Sequence, residues 1–258
     1  MPGFTLAPLL QMPGGPTMAK FPFSLSVVIP AYNEEANIGD VVRDTLLVLR
    51  TLVDSYEVLV MDDASQDRTG AIIDRLGEEH PGLVRAFHHT TNQGTNPTLI
   101  ELFGAVRYDF VFFLPADKQI LPHSIAHYLE VARQGADIVL GWRARRADPF
   151  HRAFLNWLYR AIMKLVLGVS YRDASASDLY KTEVLKKISM ESRGRLLQAE
   201  IATKAKCLGY RVVEVEVKHY PRQAGKQMGI APRTAWRSLV DLWRLAPEIR
   251  KLRKLQKV

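Results

Sequence analysis

Residues 25–70 read LSVVIPAYNEEANIGDVVRDTLLVLRTLVDSYEVLVMDDASQDRTG. The first part is a short, β-branched apolar run that ends at Pro30, which is typical of a buried parallel strand. The next segment, EEANIGDVVRDTLLVLRTLV, has helical spacing of its apolar residues, and YEVLVMDD begins a second strand that leads into a polar turn. This order predicts a βαβ unit with two parallel strands and a right-handed crossover.

The same alternation continues to Arg143. Helices are predicted for AIIDRLGEEHPG, which stops at Pro81 and Gly82, and for PTLIELFGAVRY and HSIAHYLEVARQGA. Strands are predicted for LVRAFHHT, DFVFFLPADKQ and ADIVLGWR. Repeated strand–helix units indicate an α/β fold with a Rossmann-like, mostly parallel sheet flanked by helices.

The pattern changes after Arg143. A long apolar helix is predicted for PFHRAFLNWLYRAIMKLVLGV, a further helix for GRLLQAEIATKAKCLGY and an alternating strand for RVVEVEVKHYP. We expect one domain over residues 23–229. A flexible arm containing Pro and Gly would precede it over residues 1–22, and a basic amphipathic extension would follow it over residues 230–258.

Composition narrows the class of protein. The chain has 258 residues, and its 47% of hydrophobic residues is enough for a packed core and argues against global disorder. The one cysteine, Cys207, cannot form a disulfide within the chain and is expected to be a packing residue in a reducing, cytosolic setting. We find neither an apolar run long enough to span a membrane nor the pattern of a signal peptide.

The positive charge is concentrated at the C-terminal end. The formal net charge is +8, and residues 230–258 hold eight Lys or Arg and two acidic residues, a net charge of +6. The rest of the chain is nearly neutral, which argues against a broad nucleic-acid footprint. Phosphorylated substrates and anionic lipids remain as possible partners, because their negative charge complements the positive charge of the chain.

Polar clusters follow four of the predicted strands. They are Tyr32–Glu34, Asp62–Asp67, Asp117–Gln119 and Arg143. Ligands of open α/β sheets bind beyond the carboxyl ends of the strands. We therefore expect the four clusters to converge on one site at this edge of the sheet.

Two of these clusters carry carboxylates that suit ligand binding. Asp63 could accept a hydrogen bond from a base N–H or a ribose hydroxyl, or it could serve with Ser65 and Asp67 only in a turn and helix cap. Asp117 and Gln119 are two positions apart after an apolar strand, which places two oxygen ligands on one side of the chain. Mg²⁺ and Mn²⁺ prefer such ligands, and the alternative is a polar loop.

A basic loop is predicted near the end of the domain, in HYPRQAGKQMG. Its Pro221 and Gly225 indicate a loop, and Arg222 and Lys226 are two cations that could close over a diphosphate. The alternative is a solvated basic loop.

Taken together, these segments resemble glycosyltransferase family 2, in particular its polyprenyl-phosphate branch, the dolichol-phosphate mannose synthase-like enzymes. The resemblance runs from about Leu25 to about Gly229. SVVIPAYNEEANI is similar to the family's first strand and loop, VMDDASQDRTG to its Asp-Asp-x-Ser-x-Asp-x-Thr motif, and LGYRVVEVEVKHYPRQAG to its late helix, strand and basic loop.

The resemblance implies a GT-A fold and a set of site residues. Asp62 and Asp63 would hold the base and ribose, and Asp117 and Gln119 would bind Mg²⁺ or Mn²⁺. Asp117, Arg143 and Arg222 would be the catalytic group. The nucleotide-sugar donor, a GDP- or UDP-sugar, would contact Pro30, Tyr32, Glu34, Asp62, Asp63, Ala116, Asp117, Arg222 and Lys226.

The chain departs from the family pattern at three places. Pro115 stands where the first acid of Asp-x-Asp is usual, and Lys118 adds a cation beside Asp117. The segment from Asp173 to Asp178 replaces Asp-x-x-Ser-Gly-Phe, so acceptor contacts are expected to differ. Residues 225–228, Gly-Lys-Gln-Met, replace Gly-Glu-Ser-Lys, which moves the lysine two positions.

The expected reaction is inverting transfer of a sugar, in which the metal and Arg222 stabilise the charge of the leaving diphosphate. A polyprenyl phosphate acceptor is already an anionic nucleophile and needs no strong base. A hydroxyl acceptor, on a glycan or small molecule, would need one, and the candidates are Asp173, Asp178 and Glu200. A third interpretation is a catalytically silent nucleotide-binding module.

The C-terminal extension has features of a membrane-surface helix. Within RTAWRSLVDLW, Trp236, Leu239, Val240 and Trp243 share a helical face that Arg233, Arg237 and Arg244 flank. We therefore expect a peripheral protein at the cytosolic face of an anionic membrane. The alternative is a C-terminal helix that packs on the domain.

Overall fold

The computed structural model describes residues 19–143, 163–164, 171, 177–192, 196–221 and 232–255. Within them lie seven strands: β1 (Leu25–Ala31), β2 (Tyr56–Asp62), β3 (Val84–His88), β4 (Phe110–Phe113), β5 (Ile138–Arg143), β6 (Asp178–Lys181) and β7 (Val212–Val217). The described α-helices are α1 (Ile38–Leu52), α2 (Thr69–Glu79), α3 (Thr95–Ala105), α4 (Ile125–Arg133), α5 (Thr182–Lys187), α6 (Leu197–Cys207) and α7 (Pro232–Leu255). A short 3₁₀ turn, Pro122–Ser124, leads into α4.

The seven strands form one mixed sheet in the order β3-β2-β1-β4-β6-β5-β7. All neighbouring strands are parallel except β6, which is antiparallel to both β4 and β5. In the register, Ala31 of β1 pairs with Asp62 of β2, and Asp62 in turn pairs with His88 of β3. The carboxyl ends of β1, β2 and β3 therefore lie side by side.

A hydrophobic core lies on each face of the sheet. On β1, Val27 and Ile29 point to one core and Val28 points to the other, as the two-residue period of a strand requires. Helices α1, α2 and α4 cover the first face, and α3, α5, α6 and α7 cover the second. This three-layer arrangement confirms the α/β fold class that the alternating strands and helices predict.

The short strand β6 is an element that the sequence patterns do not predict. Its four residues, Asp-Leu-Tyr-Lys, begin with a buried acid and carry no apolar run. Tertiary pairing with β4 and β5 on both sides supplies the hydrogen bonds that make it a strand. The long apolar helix predicted over residues 149–169 lies outside the described residues, apart from the helical pair Met163 and Lys164.

The C-terminal helix α7 packs on α6. Its buried residues Leu242, Leu245 and Ile249 belong to the second core, which Cys207 of α6 joins as a buried free thiol. Fully buried Lys204 of α6 links the two helices, because its Nζ lies 2.8 Å from Glu200 Oε1 and 2.7 Å from Glu248 Oε2 of α7. Of the helices described, none is both long and apolar enough to cross a bilayer.

Candidate active site

The predicted site edge is built from loops with constrained backbones. Asn33, Ala64 and Lys118 follow β1, β2 and β4, and they are the non-glycine residues with positive φ among those described, at 54°, 60° and 57°. A left-handed backbone costs an L-residue roughly 1–2 kcal/mol, although Asn tolerates it better. Such strain persists only where the surroundings fix the backbone.

Main-chain N–H groups in each of the first two loops donate to side chains of the other loop. The N–H of Asn33 donates to Ser65 Oγ at 2.9 Å, and the N–H of Gln66 donates to Asn33 Oδ1 at 2.8 Å. Asp67 accepts from the N–H of Glu35 at 3.2 Å and from the N–H of Thr69 at 2.9 Å. Ser65 and Asp67 thus have the turn and cap contacts that were the alternative interpretation of this motif.

The two adjacent acids of the second loop have different surroundings. Buried Asp63 accepts from the N–H groups of Gln93 and Gly94, both at 2.8 Å, and from His89 Nδ1 at 2.7 Å. Asp62 accepts from the N–H of Ser65 at 3.1 Å. Asp63 therefore anchors the loop after β3, and the predicted nucleoside contact of either carboxylate stays a prediction.

The residues predicted to line the nucleotide pocket at β1 lie at the same edge. Pro30 and Tyr32 are half-buried, and Glu34 is buried. The N–H of Glu34 donates to Thr69 Oγ1 at 2.8 Å, and Asn37 Nδ2 donates to Glu34 Oε2 at 2.7 Å. These contacts bring the start of α1 next to the start of α2, above the ends of β1 and β2.

The turn after β4 carries the two residues that the sequence predicts as metal ligands, Asp117 and Gln119. Asp117 is half-buried, and its Oδ1 accepts the N–H of Gln119 at 3.1 Å, while Ala116 is buried beneath it. Among the described residues, Asp117 Oδ2 and the side-chain amide of Gln119 have no protein partner. Lys118 points away to Asp40 of α1, with Nζ 2.5 Å from Oδ2, and this hydrogen bond holds the pKa of Asp40 below its ordinary value.

These donors fit a divalent cation. No group of three or more His, Cys, Asp or Glu that could hold a metal occurs in the described part of the chain. Mg²⁺ and Mn²⁺ commonly use one or two protein oxygens and take the rest from substrate phosphates and water. Asp117 with Gln119 meets that requirement.

The segment that follows β7, just before the predicted basic loop, contacts the turn after β4. The N–H of Tyr220 donates to the carbonyl oxygen of Gln119 at 2.9 Å. Arg143, at the end of β5, has Nη1 3.4 Å from His219 Nε2. Arg222 and Lys226 follow directly in the chain, but they and Asp173 lie outside the described residues.

The two described candidates for a catalytic base are both engaged by protein groups. Asp178 begins β6 beside Phe113 and Leu140, so it lies at the site edge, and it accepts from Gly141 N–H at 3.2 Å and Tyr180 Oη at 2.9 Å. Burial raises the pKa of Tyr180, which keeps this hydroxyl protonated as a donor. Glu200 is fully buried and acts as the ion-pair partner of Lys204, with further hydrogen bonds from the N–H groups of residues 191 and 192.

The sequence patterns do not single out His89. It follows β3 by one residue, and its ring lies between Asp63 and Glu101, 2.7 Å and 3.0 Å from their oxygens. One sequence signal could have identified His89: it comes directly after β3, and β3 is the strand that follows the paired acids Asp62 and Asp63 in the chain.

The sheet order and the acidic loops at the strand ends define a GT-A fold. The family model described as Glycosyl transferase family 2 matches residues 26–189, and the chain belongs to that family. The family membership predicted from the motifs is therefore confirmed.

Similar proteins include polyprenyl-phosphate enzymes. The polyprenol monophosphomannose synthase of Mycolicibacterium smegmatis is 30% identical over 77% of this chain and 78% of its own length. The undecaprenyl-phosphate 4-deoxy-4-formamido-L-arabinose transferase of Edwardsiella ictaluri is 28% identical over 78% of this chain. The matched region spans only 62% of that relative.

A solved structure shares the fold. Glucosyl-3-phosphoglycerate synthase from Mycobacterium tuberculosis, in complex with Mn²⁺, uridine-diphosphate and glucosyl-3-phosphoglycerate, has a TM-score of 0.63 at 20% identity. The match covers 98% of this chain and 85% of the other.

Proposed function

We propose that this protein transfers a sugar, with inversion, from a nucleotide-diphosphate sugar to a polyprenyl phosphate, in a reaction that depends on Mg²⁺ or Mn²⁺. The observation that carries the proposal is the Asp117–Gln119 turn, which offers unengaged oxygen ligands at the strand-end edge. Two relatives that carry polyprenol or undecaprenyl-phosphate in their names support the acceptor class.

Different residues would bind the diphosphate and the nucleoside of the donor. Asp117 and Gln119 would hold the metal, which supplies charge stabilisation for the leaving diphosphate when bound. Arg222 follows Tyr220, whose N–H contacts the carbonyl of Gln119, so the cation of Arg222 would meet the same diphosphate. Asp62 and Asp63 would hold the nucleoside of a GDP- or UDP-sugar.

The state of the two candidate bases that the structure describes favours a phosphate acceptor over a hydroxyl. A hydroxyl acceptor needs a carboxylate that can take its proton. Asp178 already accepts two hydrogen bonds, and Glu200 is sequestered in an ion pair away from solvent. A lipid phosphate is ionised at neutral pH and attacks without such a base.

The exposed face of α7 supports attachment to an anionic membrane at its cytosolic face. Trp243 is 81% exposed, whereas the opposite face of the helix is buried in the core. Exposed residues near it on the helix are Arg244, Pro247, Arg250 and Lys251. An exposed tryptophan beside basic side chains suits a bilayer interface, and each Lys or Arg near an anionic surface contributes about 1 kcal/mol.

The test is transfer from UDP- and GDP-sugars to undecaprenyl phosphate in detergent, with Mn²⁺ or with excess EDTA. We expect metal-dependent formation of a lipid-linked sugar. Transfer only to a water-soluble hydroxyl acceptor would make the protein a soluble member of the family. Nucleotide binding without any transfer or donor hydrolysis would identify a silent module.

Membrane attachment has a separate test. Co-sedimentation with vesicles that contain anionic lipid should recover the full chain in the pellet at low salt and lose it at high salt. Trp243→Ser should weaken recovery, and Leu47→Ser, at an exposed leucine on the opposite face of the sheet, should not. Equal recovery of both variants would show that α7 does not mediate the attachment.

A further inference from the structure

The ring of His89 is fixed by two carboxylates from different elements. Nδ1 lies 2.7 Å from Oδ1 of Asp63, which follows β2, and Nε2 lies 3.0 Å from Oε2 of Glu101 on α3. The side chains of His89 and Asp63 are only 6% and 5% exposed, so water competes little for their contact, whereas Glu101 is 50% exposed. Asp62 contributes a main-chain contact, because its carbonyl oxygen accepts the N–H of His89 at 2.9 Å.

The two contacts determine the protonation state of the ring. A neutral imidazole has one N–H and one lone pair, so one of its nitrogens would face a carboxylate without a proton between them. The imidazolium donates at both nitrogens. Asp63 and Glu101 are the charged groups that face the ring among the described residues, and both have the sign that favours the imidazolium.

Asp63 also holds the loop after β3 through two main-chain hydrogen bonds. Its Oδ1 accepts the N–H of Gln93 in addition to His89, and its Oδ2 accepts the N–H of Gly94. Gly94 has φ +91°, a backbone that side chains other than glycine rarely adopt. These three donors fix the orientation of the Asp63 carboxylate, and the carboxylate in turn fixes the path of residues 90–94.

We propose that His89 is a positioning residue whose imidazolium fixes Asp63 and the loop after β3 at the nucleoside end of the site. The inference rests on the proposed function, because it assumes that a nucleoside diphosphate binds beside Asp63. The inference predicts that nucleotide affinity depends on the second ring proton of His89, which belongs to the protein and not to the substrate. Deprotonation of His89 leaves the ring a single N–H for two carboxylates, so its hold on Asp63 weakens and the nucleoside site loosens.

The direction of the pH dependence follows from the contacts. Burial lowers the pKa of His89, but the hydrogen bonds to Asp63 and Glu101 outweigh burial and hold the pKa above its ordinary value. The imidazolium therefore persists to a higher pH than that of an ordinary histidine, and it is lost as pH rises through the raised value. Affinity for the nucleotide should fall over that interval.

The experiment measures binding of UDP and GDP to the full chain by calorimetry with Mn²⁺, from about pH 6 to about pH 9. The unaltered protein should lose about tenfold in affinity as His89 deprotonates, on the scale of one charge-assisted hydrogen bond. His89→Gln should bind weakly with little pH dependence. Glu101→Gln, at a half-exposed position, should keep tight binding at low pH and lose it at a lower pH than the unaltered protein.

His127→Gln is the matched control, because His127 is an exposed histidine on α4, and it should behave as the unaltered protein does. The nucleotide's own phosphates titrate alike in all four proteins. Nitrogen-15 NMR of the free protein should show two ring N–H groups on His89 at about pH 6, the low end of the series. A neutral ring, or equal affinities of His89→Gln and the unaltered protein at every pH, would overturn the inference and leave the proposed function intact. Failure of the unaltered protein to bind either nucleotide would overturn both.

Discussion

The main-chain N–H of Tyr220 donates a 2.9 Å hydrogen bond to the main-chain carbonyl oxygen of Gln119. This contact joins two segments that are about 100 residues apart in the chain. One carries the predicted metal ligands, and the other leads into the basic loop. The bond uses no side chain of either residue. The side chain of Gln119 therefore remains available for a ligand while the two segments stay in contact.

Asp117→Asn should abolish metal-dependent transfer while the protein stays folded. The amide keeps an oxygen for the N–H of Gln119 but loses the charge that attracts the cation, so turnover should fall by about 100-fold or more. The melting temperature should change by only about 2 °C, because the residue is half-buried at a strand end. Asp54→Asn, a charge-matched change at an exposed site, should leave turnover unaltered. Full activity of Asp117→Asn would remove the metal assignment.

Arg222→Ala should lower kcat/KM by about 100-fold, since a charge-assisted contact to the leaving diphosphate contributes about 1.5–3 kcal/mol. Arg222→Lys should recover part of this loss, because the point charge remains but bidentate geometry is lost. Arg211→Ala is the control at the other end of β7, where the guanidinium donates to the carbonyl oxygen of Gln134. Steady-state kinetics that show equal losses for Arg222→Ala and Arg211→Ala would contradict the assignment.

Replacing Asp62 and Asp63 together by Ala should weaken binding of a nucleoside diphosphate by roughly 2–4 kcal/mol, measured by calorimetry. Asp63→Ala should also lower stability, because the N–H groups of Gln93 and Gly94 lose their acceptor. Asp74→Ala, at an exposed acid beside His88, is the control. Unchanged affinity in the double variant would limit both acids to the turn and loop contacts that they make within the protein.

Lys204→Met should destabilise the protein by about 3–5 kcal/mol, because it leaves the buried carboxylate of Glu200 without its counter-charge. Glu248→Gln should cost less, since its side chain is 36% exposed. Lys186→Met, at an exposed lysine, should change stability by at most about 0.5 kcal/mol. Urea unfolding gives all three values. A small effect of Lys204→Met would mean that Glu200 does not need this counter-charge, and no effect of Glu248→Gln would mean that α7 is not held through the ion pair.

Acid should weaken the loop contacts of Asp67. Burial raises its pKa, but hydrogen bonds from Thr69 and from the N–H of Glu35 outweigh burial and hold the pKa below its ordinary value of 3.8. A depressed folded-state pKa means that the carboxylate stabilises the fold above pH 3.8 and that this contribution disappears as pH falls through the lower, folded-state value. Asp67→Asn should be less stable than the unaltered protein at neutral pH, and the difference should shrink in strong acid. A difference that stays constant across a pH series of unfolding curves would exclude this linkage.

Local periodicity was sufficient for the parallel strands and for most of the helices. β1 and β2 are apolar runs whose character does not depend on their partners, and α2 ends at Glu79, just before Pro81. β6 could not be found in this way, because its identity as a strand comes from pairing with β4 and β5 rather than from its own residues.

The sequence predicts which loops form the site, but it does not predict which residues contact each other there. Strand ends place Asp63 and Asp117 at one edge, and that much follows from the α/β order. The partners of Asp63 lie about 26–31 residues further along the chain, and the salt bridge of Lys118 runs from the turn after β4 to α1. Such contacts depend on the tertiary path of the loops, which spacing in the sequence does not encode.

The reversed direction of β6 has an evolutionary consequence. Because β6 begins where β4 and β5 end, the chain enters it from the active edge, and Asp178 is its first residue. Gly141 permits this entry, since a side chain there would collide with the hydroxyl of Tyr128 and the carbonyl oxygen of Ser177. Under the proposed function, changes just before Ser177 would alter the acceptor side of the site while the pairing of β6 stays under selection. Relatives with different acceptors should diverge in length at this position sooner than at the nucleotide-facing loops.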